Sequence, residues 1–198
     1  MNRAIIVHCW EGYPKYCWYP YVKKELEEKG FSVKVPTFPE TEAPKQDAWV
    51  SYLTAQAGHP DTNLFLIGHS VGCITILRYL ETFSENERVG GVVLVAGFTD
   101  NIGYEELSNF FTTPIDFERI RGKSKNGFVA IHSDNDPYVD LKFAHIFKKE
   151  LGAKMVIKHA MGHFSGPAEQ EGSCTELPDV VHGIEELSSQ AKTKTGRK

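Results

Sequence analysis

No apolar run in the 198 residues approaches the ~18 that a membrane span requires, and Met1 to Val7 is too short for the core of a signal peptide. A cytoplasmic protein is the expectation. Cysteine is scarce as well. Cys9, Cys17, Cys73 and Cys174 form no C-x-x-C pair in a chain too large to depend on disulfide staples, so all four are read as free thiols. Positive charge is in deficit: the formal net charge is -4, and because Lys192, Lys194, Arg197 and Lys198 carry +4 at the C-terminus, the rest of the chain carries -8. That balance argues against a nucleic-acid-binding body. Internal repeats and linkers rich in Gly, Ser or Pro are also missing, so residues 1–187 are read as one domain. Residues 188–198 have almost nothing apolar to bury and are read as a solvated, disordered basic tail.

What is present is a recurrence of short apolar, β-branched runs. They fall at Ala4-Ile5-Ile6-Val7, Phe31 to Val35, Leu64 to Ile67, Val92 to Val95, Phe128 to Ile131 and Met155-Val156-Ile157. Such runs read as strands. Helical spacing lies between them, as in Tyr21, Val22 and Leu26 before Gly30, and Ile74, Leu77 and Leu80 after Gly72. Alternation of strand and helix predicts an α/β fold, a three-layer sandwich with a parallel sheet of about six strands. The predicted strand order is 2-1-3-4-5-6, with a site at the switch point between the first and third strands. Gly97 to Asn126 is the one long irregular connection, and its phenylalanines mark it as a packed flap.

The run Leu64-Phe65-Leu66-Ile67 leads directly into Gly68-His69-Ser70-Val71-Gly72, and the helix-like Cys73 to Leu80 follows. This is strand, G-x-S-x-G, helix in the order that holds a nucleophilic serine on a strained turn. Glycines two residues to either side let the two backbones pass closely. The N–H of Val71, at the start of the helix, would point to where a substrate oxyanion forms.

Chemistry of this kind needs an acid after a later strand and a histidine after the last one. Ser133-Asp134-Asn135-Asp136-Pro137 follows the fifth run, and His159-Ala160-Met161-Gly162-His163-Phe164 follows the sixth. The expected catalytic set is Ser70 as nucleophile, His163 as general base and Asp136 as the residue that orients it. Asp134 is the close competitor, and Pro137, by fixing chain direction, favours Asp136. Asp100 is a third candidate. His159 and His163 share H-x-x-x-H spacing, but a zincin site would also need a glutamate after the first histidine and a surrounding helix, so no metal is expected. His8, His59, His132, His145 and His182 are read as surface or satisfied structural residues, and His69 as a packing residue.

The first strand ends in Val7-His8-Cys9-Trp10-Glu11-Gly12, where a second oxyanion donor is expected. The N–H of Trp10 is the candidate, with that of Cys9 the alternative. At this point the chain resembles the small serine hydrolases typified by retinoblastoma-binding protein 9 and the YdeN-like proteins, within the α/β-hydrolase superfamily. The likeness runs from residue 3 to about 187. It rests on Trp18 to Leu26, Val35-Pro36 through Trp49, Gly68 to Gly72, Leu94 to Phe98, Ser133 to Pro137 and Gly162-His163-Phe164. It implies a capless α/β-hydrolase sheet and a triad on Ser70, Asp136 and His163. Cys9 stands where YdeN-like relatives often have glycine, and Asp140 where many have proline. The L-x-C-x-E element associated with retinoblastoma binding is not matched by Ser173-Cys174-Thr175-Glu176, so no protein partner is carried over.

The expected activity is cleavage of a small acyl ester through an acyl-serine intermediate, without metal or organic cofactor. Trp10, Phe98, Phe110 and Phe111 are the expected walls of an acyl pocket. The rival is a binding or adaptor protein that keeps the hydrolase fold, since fold alone does not fix function.

Overall fold

The computed structural model describes residues 1–166 and 172–193. Six strands form one sheet: β1 (Arg3–Val7), β2 (Ser32–Lys34), β3 (Leu64–His69), β4 (Gly91–Val95), β5 (Phe128–Ser133) and β6 (Lys154–Lys158). Their order is β2-β1-β3-β4-β5-β6 and every pairing is parallel, as the run spacing requires. The helices are α1 (Tyr19–Glu28), α2 (Gln46–Ala57), α3 (Val71–Glu81), the short α4 (Phe117–Arg121), α5 (Lys142–Leu151) and α6 (Pro178–Thr193).

Strand residues alternate between two hydrophobic layers because successive side chains leave opposite faces of a strand. Ile5, Val7, Leu64, Leu66, Val92 and Leu94 pack with residues of α2, α3 and α5. Ala4, Ile6, Phe65, Ile67, Val93 and Val95 pack with residues of α1 and α6. Both faces are therefore covered, and the central strands read as unbroken apolar runs. The order places β1 and β3 side by side, with Val7 paired to Gly68, so the loops leaving these two strands emerge together.

The connection from Gly97 to Asn126 contains a 3-10 turn at Glu105–Phe111 and then α4. Arg78, buried in α3, anchors it. The guanidinium donates to the carbonyls of Phe110 and Thr113 and pairs with Glu81 at 2.9 Å. A charge inside a core is tolerated only with its donors satisfied, and here the flap's backbone satisfies them.

Helix α6 runs to Thr193, so regular structure continues past residue 187, where the tail was expected to begin. Lys194, Arg197 and Lys198 lie outside the described residues. No helix among the described residues is long and apolar enough to cross a membrane.

Candidate active site

Ser70 sits between β3 and α3 with φ 56° and ψ -119°, a conformation that an L-residue holds only when its surroundings impose it. The glycines make the turn possible. A Cβ on Gly72 would lie 2.1 Å from the carbonyl oxygen of Val7, and one on Gly68 would lie 2.8 Å from the Cys73 backbone. The turn is pinned by the Ser70 N–H donating to Val95 O and the Cys73 N–H donating to Ser70 O, both at 2.9 Å.

The acid and histidine loops are joined residue by residue. Ser133 Oγ accepts from the Met161 N–H, Asp134 from the Ala160 N–H, Asn135 from the Gly162 N–H, and Asp136 from the His163 ring. Asp136 Oδ1 accepts the N–H groups of Tyr138 and Val139, which leaves Oδ2 facing His163 Nδ1 at 2.8 Å. Its side chain is 1% exposed and that of His163 is 11% exposed. A carboxylate can only accept, so His163 Nδ1 carries a proton, and in the neutral ring the lone pair is on Nε2. Tyr138 stands edge-on to the His163 ring at 5.2 Å between centroids.

The other two carboxylates are engaged elsewhere. Asp134, 37% exposed, pairs with His159 Nδ1 at 2.7 Å. Asp100 is exposed, lies 3.6 Å from Lys142 and caps the Ile102 N–H. His159 and His163 thus point to different aspartates, and no group of three or more metal-ligating side chains occurs among the described residues.

In the loop after β1, the Cys9 N–H is taken by Tyr19 Oη at 3.0 Å. The Cys9 carbonyl accepts from His8 Nδ1 at 2.7 Å and from the Gly12 N–H at 3.0 Å. That carbonyl and the Trp10 N–H belong to one planar trans peptide, so fixing the carbonyl aims the N–H the opposite way. The Trp10 N–H meets no acceptor among the described residues. His8 Nε2 accepts from the Phe38 N–H, and burial pushes the ring's pKa down, so His8 is a neutral, buried peg behind this loop. The Val71 N–H, first in α3, has no partner inside the helix.

Ser70, Val71, Trp10 and His163 line one cleft of about 350 Å³, together with Cys9, Glu11, Tyr16, Ile102, Tyr104, Leu107, Tyr138 and Ser165. The three phenylalanines expected there do not line it. Phe98 and Phe110 are fully buried in the layer beneath the flap, and Phe111 packs partly buried against them, its ring 6.0 Å from that of Phe98. A ring with no polar atom gains most by leaving water entirely, whereas tyrosine can wall a wet cleft and keep its hydroxyl hydrated. Sequence reasoning passed over Tyr16, Tyr104 and Tyr138; the signal was their tyrosine chemistry on loops that end at the same sheet edge.

All four cysteines are free and buried. Burial pushes the Cys9 thiol up to about 11, so the cleft's sulfur stays protonated at neutral pH.

Comparison with known proteins bears on this geometry. The serine hydrolase family model matches residues 4–177. The hydrolase YdeN of Bacillus subtilis is 29% identical over 180 residues, covering 90% of this chain and 92% of that protein. The serine hydrolase RBBP9 of Rattus norvegicus is 29% identical over 177 residues, covering 88% of each. The crystal structure of the B. subtilis ydeN gene product superposes with a TM-score of 0.88 at 27% identity, over 96% of this chain and all of that one. A carboxylesterase structure from the thaumarchaeon Nitrososphaera gargenis shares the fold, with a TM-score of 0.71 at 11% identity over 96% of this chain and 92% of that one. The chain belongs to the serine hydrolase family.

Proposed function

We propose that this hydrolase cleaves small carboxylic esters through an acyl-Ser70 intermediate, with His163 as general base and Asp136 as its orienting partner. One observation carries the reading. A strained serine at a strand-to-helix turn shares a cleft with a histidine whose Nδ1 is held by a carboxylate that water does not reach. His163 Nε2 takes the hydroxyl proton as Ser70 Oγ attacks the substrate carbonyl carbon. Negative charge moves to the carbonyl oxygen, where the N–H groups of Val71 and Trp10 receive it. The tetrahedral species collapses, and the alcohol leaves with the proton from His163. Water then gives a proton to His163 and attacks the acyl carbon, and the carboxylic acid departs as Ser70 regains its hydrogen. No step calls for a metal or an organic cofactor, and the substrate is a small molecule seated against Trp10 and Tyr104, whose rings meet edge to face at 5.6 Å.

The test is covalent labelling. A fluorophosphonate is expected to modify the wild type stoichiometrically at Ser70, and Ser70→Ala and His163→Ala to abolish labelling while circular dichroism shows an intact fold. Hydrolysis of short p-nitrophenyl esters should follow the same pattern. A folded wild type left unlabelled by this and by a smaller phosphonate would sink the reading in favour of a non-catalytic binding protein.

Tyr104, 39% exposed on the flap, gives a separate check on the cleft. Tyr104→Ala is expected to raise KM several-fold and leave kcat within about twofold, because it removes contact area without touching the reacting groups. An unchanged KM and kcat would show that the substrate lies elsewhere.

A further inference from the structure

Cys9, in the loop after β1, and His163, in the loop after β6, lie on segments that meet only at the edge of the sheet. A buried chain of three hydrogen bonds joins them. The Cys9 N–H donates to Tyr19 Oη at 3.0 Å, Tyr19 Oη lies 2.7 Å from His69 Nδ1, and His69 Nε2 lies 2.8 Å from the carbonyl oxygen of His163. A carbonyl can only accept, so His69 is protonated on Nε2; burial keeps the ring neutral, so Nδ1 accepts from the Tyr19 hydroxyl, which in turn accepts from the Cys9 N–H. Every polar atom in the chain is then used.

Tyr19 and His69 are both fully buried, in an otherwise apolar layer containing Trp18, Val22, Ile67 and Val95. A phenylalanine and a leucine would fill that volume without the cost of desolvating polar groups. These side chains spend their hydrogen bonds on the backbones of the two loops that must face one carbonyl from opposite sides. Trp18 and Tyr19 rings at 4.7 Å, and His69 and His163 rings at 5.3 Å, hold the same chain laterally.

We propose that Tyr19 and His69 are positioning residues: their hydrogen-bonded relay locks the oxyanion loop and the loop of the general base into a single register, so that the Trp10 N–H and His163 Nε2 act on the same substrate atom set. This rests on the Ser70 reading above. The relay touches no substrate and moves no proton in the reaction. What it supplies is preorganisation, which keeps the donors from having to reorient as charge develops.

Tyr19→Phe keeps the ring and deletes the central oxygen. On p-nitrophenyl acetate it is expected to lower kcat by roughly 10- to 100-fold while KM stays within about threefold, the split that marks loss of transition-state alignment. His69→Leu should behave alike, and the double variant should be no worse than the poorer single one, because both break one connected element. His69→Gln, whose amide can still donate to the His163 carbonyl, should recover part of the loss. A purely structural role would instead lower the melting temperature and leave kcat of the folded enzyme at the wild-type value, and that result overturns the proposal. The wild type alone provides a second measurement that does not depend on any variant folding. Its ¹⁵N-labelled histidine spectrum should show His69 as the neutral Nε2–H tautomer at pH ~5, and a charged or Nδ1–H ring there overturns the relay. An unlabelled wild type in the fluorophosphonate test overturns the Ser70 reading and the relay with it. A labelled wild type with an unimpaired Tyr19→Phe overturns the relay alone.

Discussion

Asp136→Asn is expected to lower kcat by about 10⁴, the size of effect seen when the orienting acid of a serine triad becomes an amide, and Asp134→Asn to change it little. The reason lies in how the carboxylate is held. Oδ1 accepts two backbone N–H groups, from Tyr138 and Val139, and Oδ2 faces His163 Nδ1. An asparagine at this position must keep its carbonyl oxygen toward the two N–H groups, because an amide nitrogen there would set donor against donor. Its NH2 then faces His163 and claims the Nδ1 lone pair, which moves the imidazole proton to Nε2. A ring protonated on Nε2 cannot take the hydroxyl proton of Ser70. Asp134, by contrast, holds the exposed His159 and the Ala160 N–H and lends nothing to the reacting atoms. Steady-state kinetics on a p-nitrophenyl ester, with fluorophosphonate labelling as a second readout, checks both variants. If Asp134→Asn is the damaging one, the assignment is wrong by two residues.

The central strands were legible because each contains a short apolar run, and because parallel strands buried on both faces leave that signature whatever their neighbours are, whereas β2 at the sheet edge buries only Val33. Val92 to Val95 could hardly be anything else. The order of the strands followed from the fold class rather than from the runs, and the placement of Ser70 from two glycines whose missing side chains the turn requires. Asp136 was separable from Asp134 on thinner grounds. Pro137 pointed to it, but the structural reason is the pair of N–H groups that follow the proline, which only a folded backbone displays.

The misplaced side chains share a cause. Phe98, Phe110 and Phe111 lie on a segment of 30 residues, from Gly97 to Asn126, with no strong periodicity, so nothing in the string says which rings turn inward. The side that they take is decided by α3 beneath them and by Arg78 pulling on the Phe110 carbonyl. Long-range pairing hid His69 in the same way. Its partners stand 50 and 94 residues away, and a histidine beside Ser70 gives no local sign of being fully buried and hydrogen-bonded at both nitrogens. Helix α6 runs past residue 187 because polar residues can extend a helix whose earlier turns are anchored in the core by Val180, Val181 and Ile184.

Acid should destabilise this protein before its carboxylates are neutralised, because three histidines are buried uncharged. His8, His69 and His132 are each no more than 1% exposed. Burial holds all three pKa values below the ordinary histidine value, that of His69 at about 3, with the nearby His163 adding to the effect. Local chemistry agrees with the direction. A proton on His8 Nε2 would confront the Phe38 N–H, one on His69 Nδ1 would confront the Tyr19 hydroxyl proton, and His132 Nδ1 has no hydrogen-bond partner among the described residues. In the unfolded chain the same rings titrate near ~6.5. Below that pH the unfolded state binds protons that the folded state refuses, so stability is complete above it and falls as pH drops toward the folded-state values. His69, held at about 3, contributes a slope of about 1.4 kcal/mol per pH unit below ~6.5, and His8 and His132 act in the same direction, against a typical total of roughly 5–15 kcal/mol for a domain. His159 works with the opposite sign, since its bond to Asp134 raises its pKa, but it is exposed and offsets little. Urea denaturation at a series of pH values should show a nearly flat free energy of unfolding from pH ~8 to ~7 and a decline of at least one proton's slope from ~6 to ~4.5. In His69→Gln the decline should be shallower by one proton. A stability that stays level down to pH ~5 would mean that these rings are charged in the folded protein, and that the neutral tautomers assigned to the oxyanion loop and to the relay are wrong.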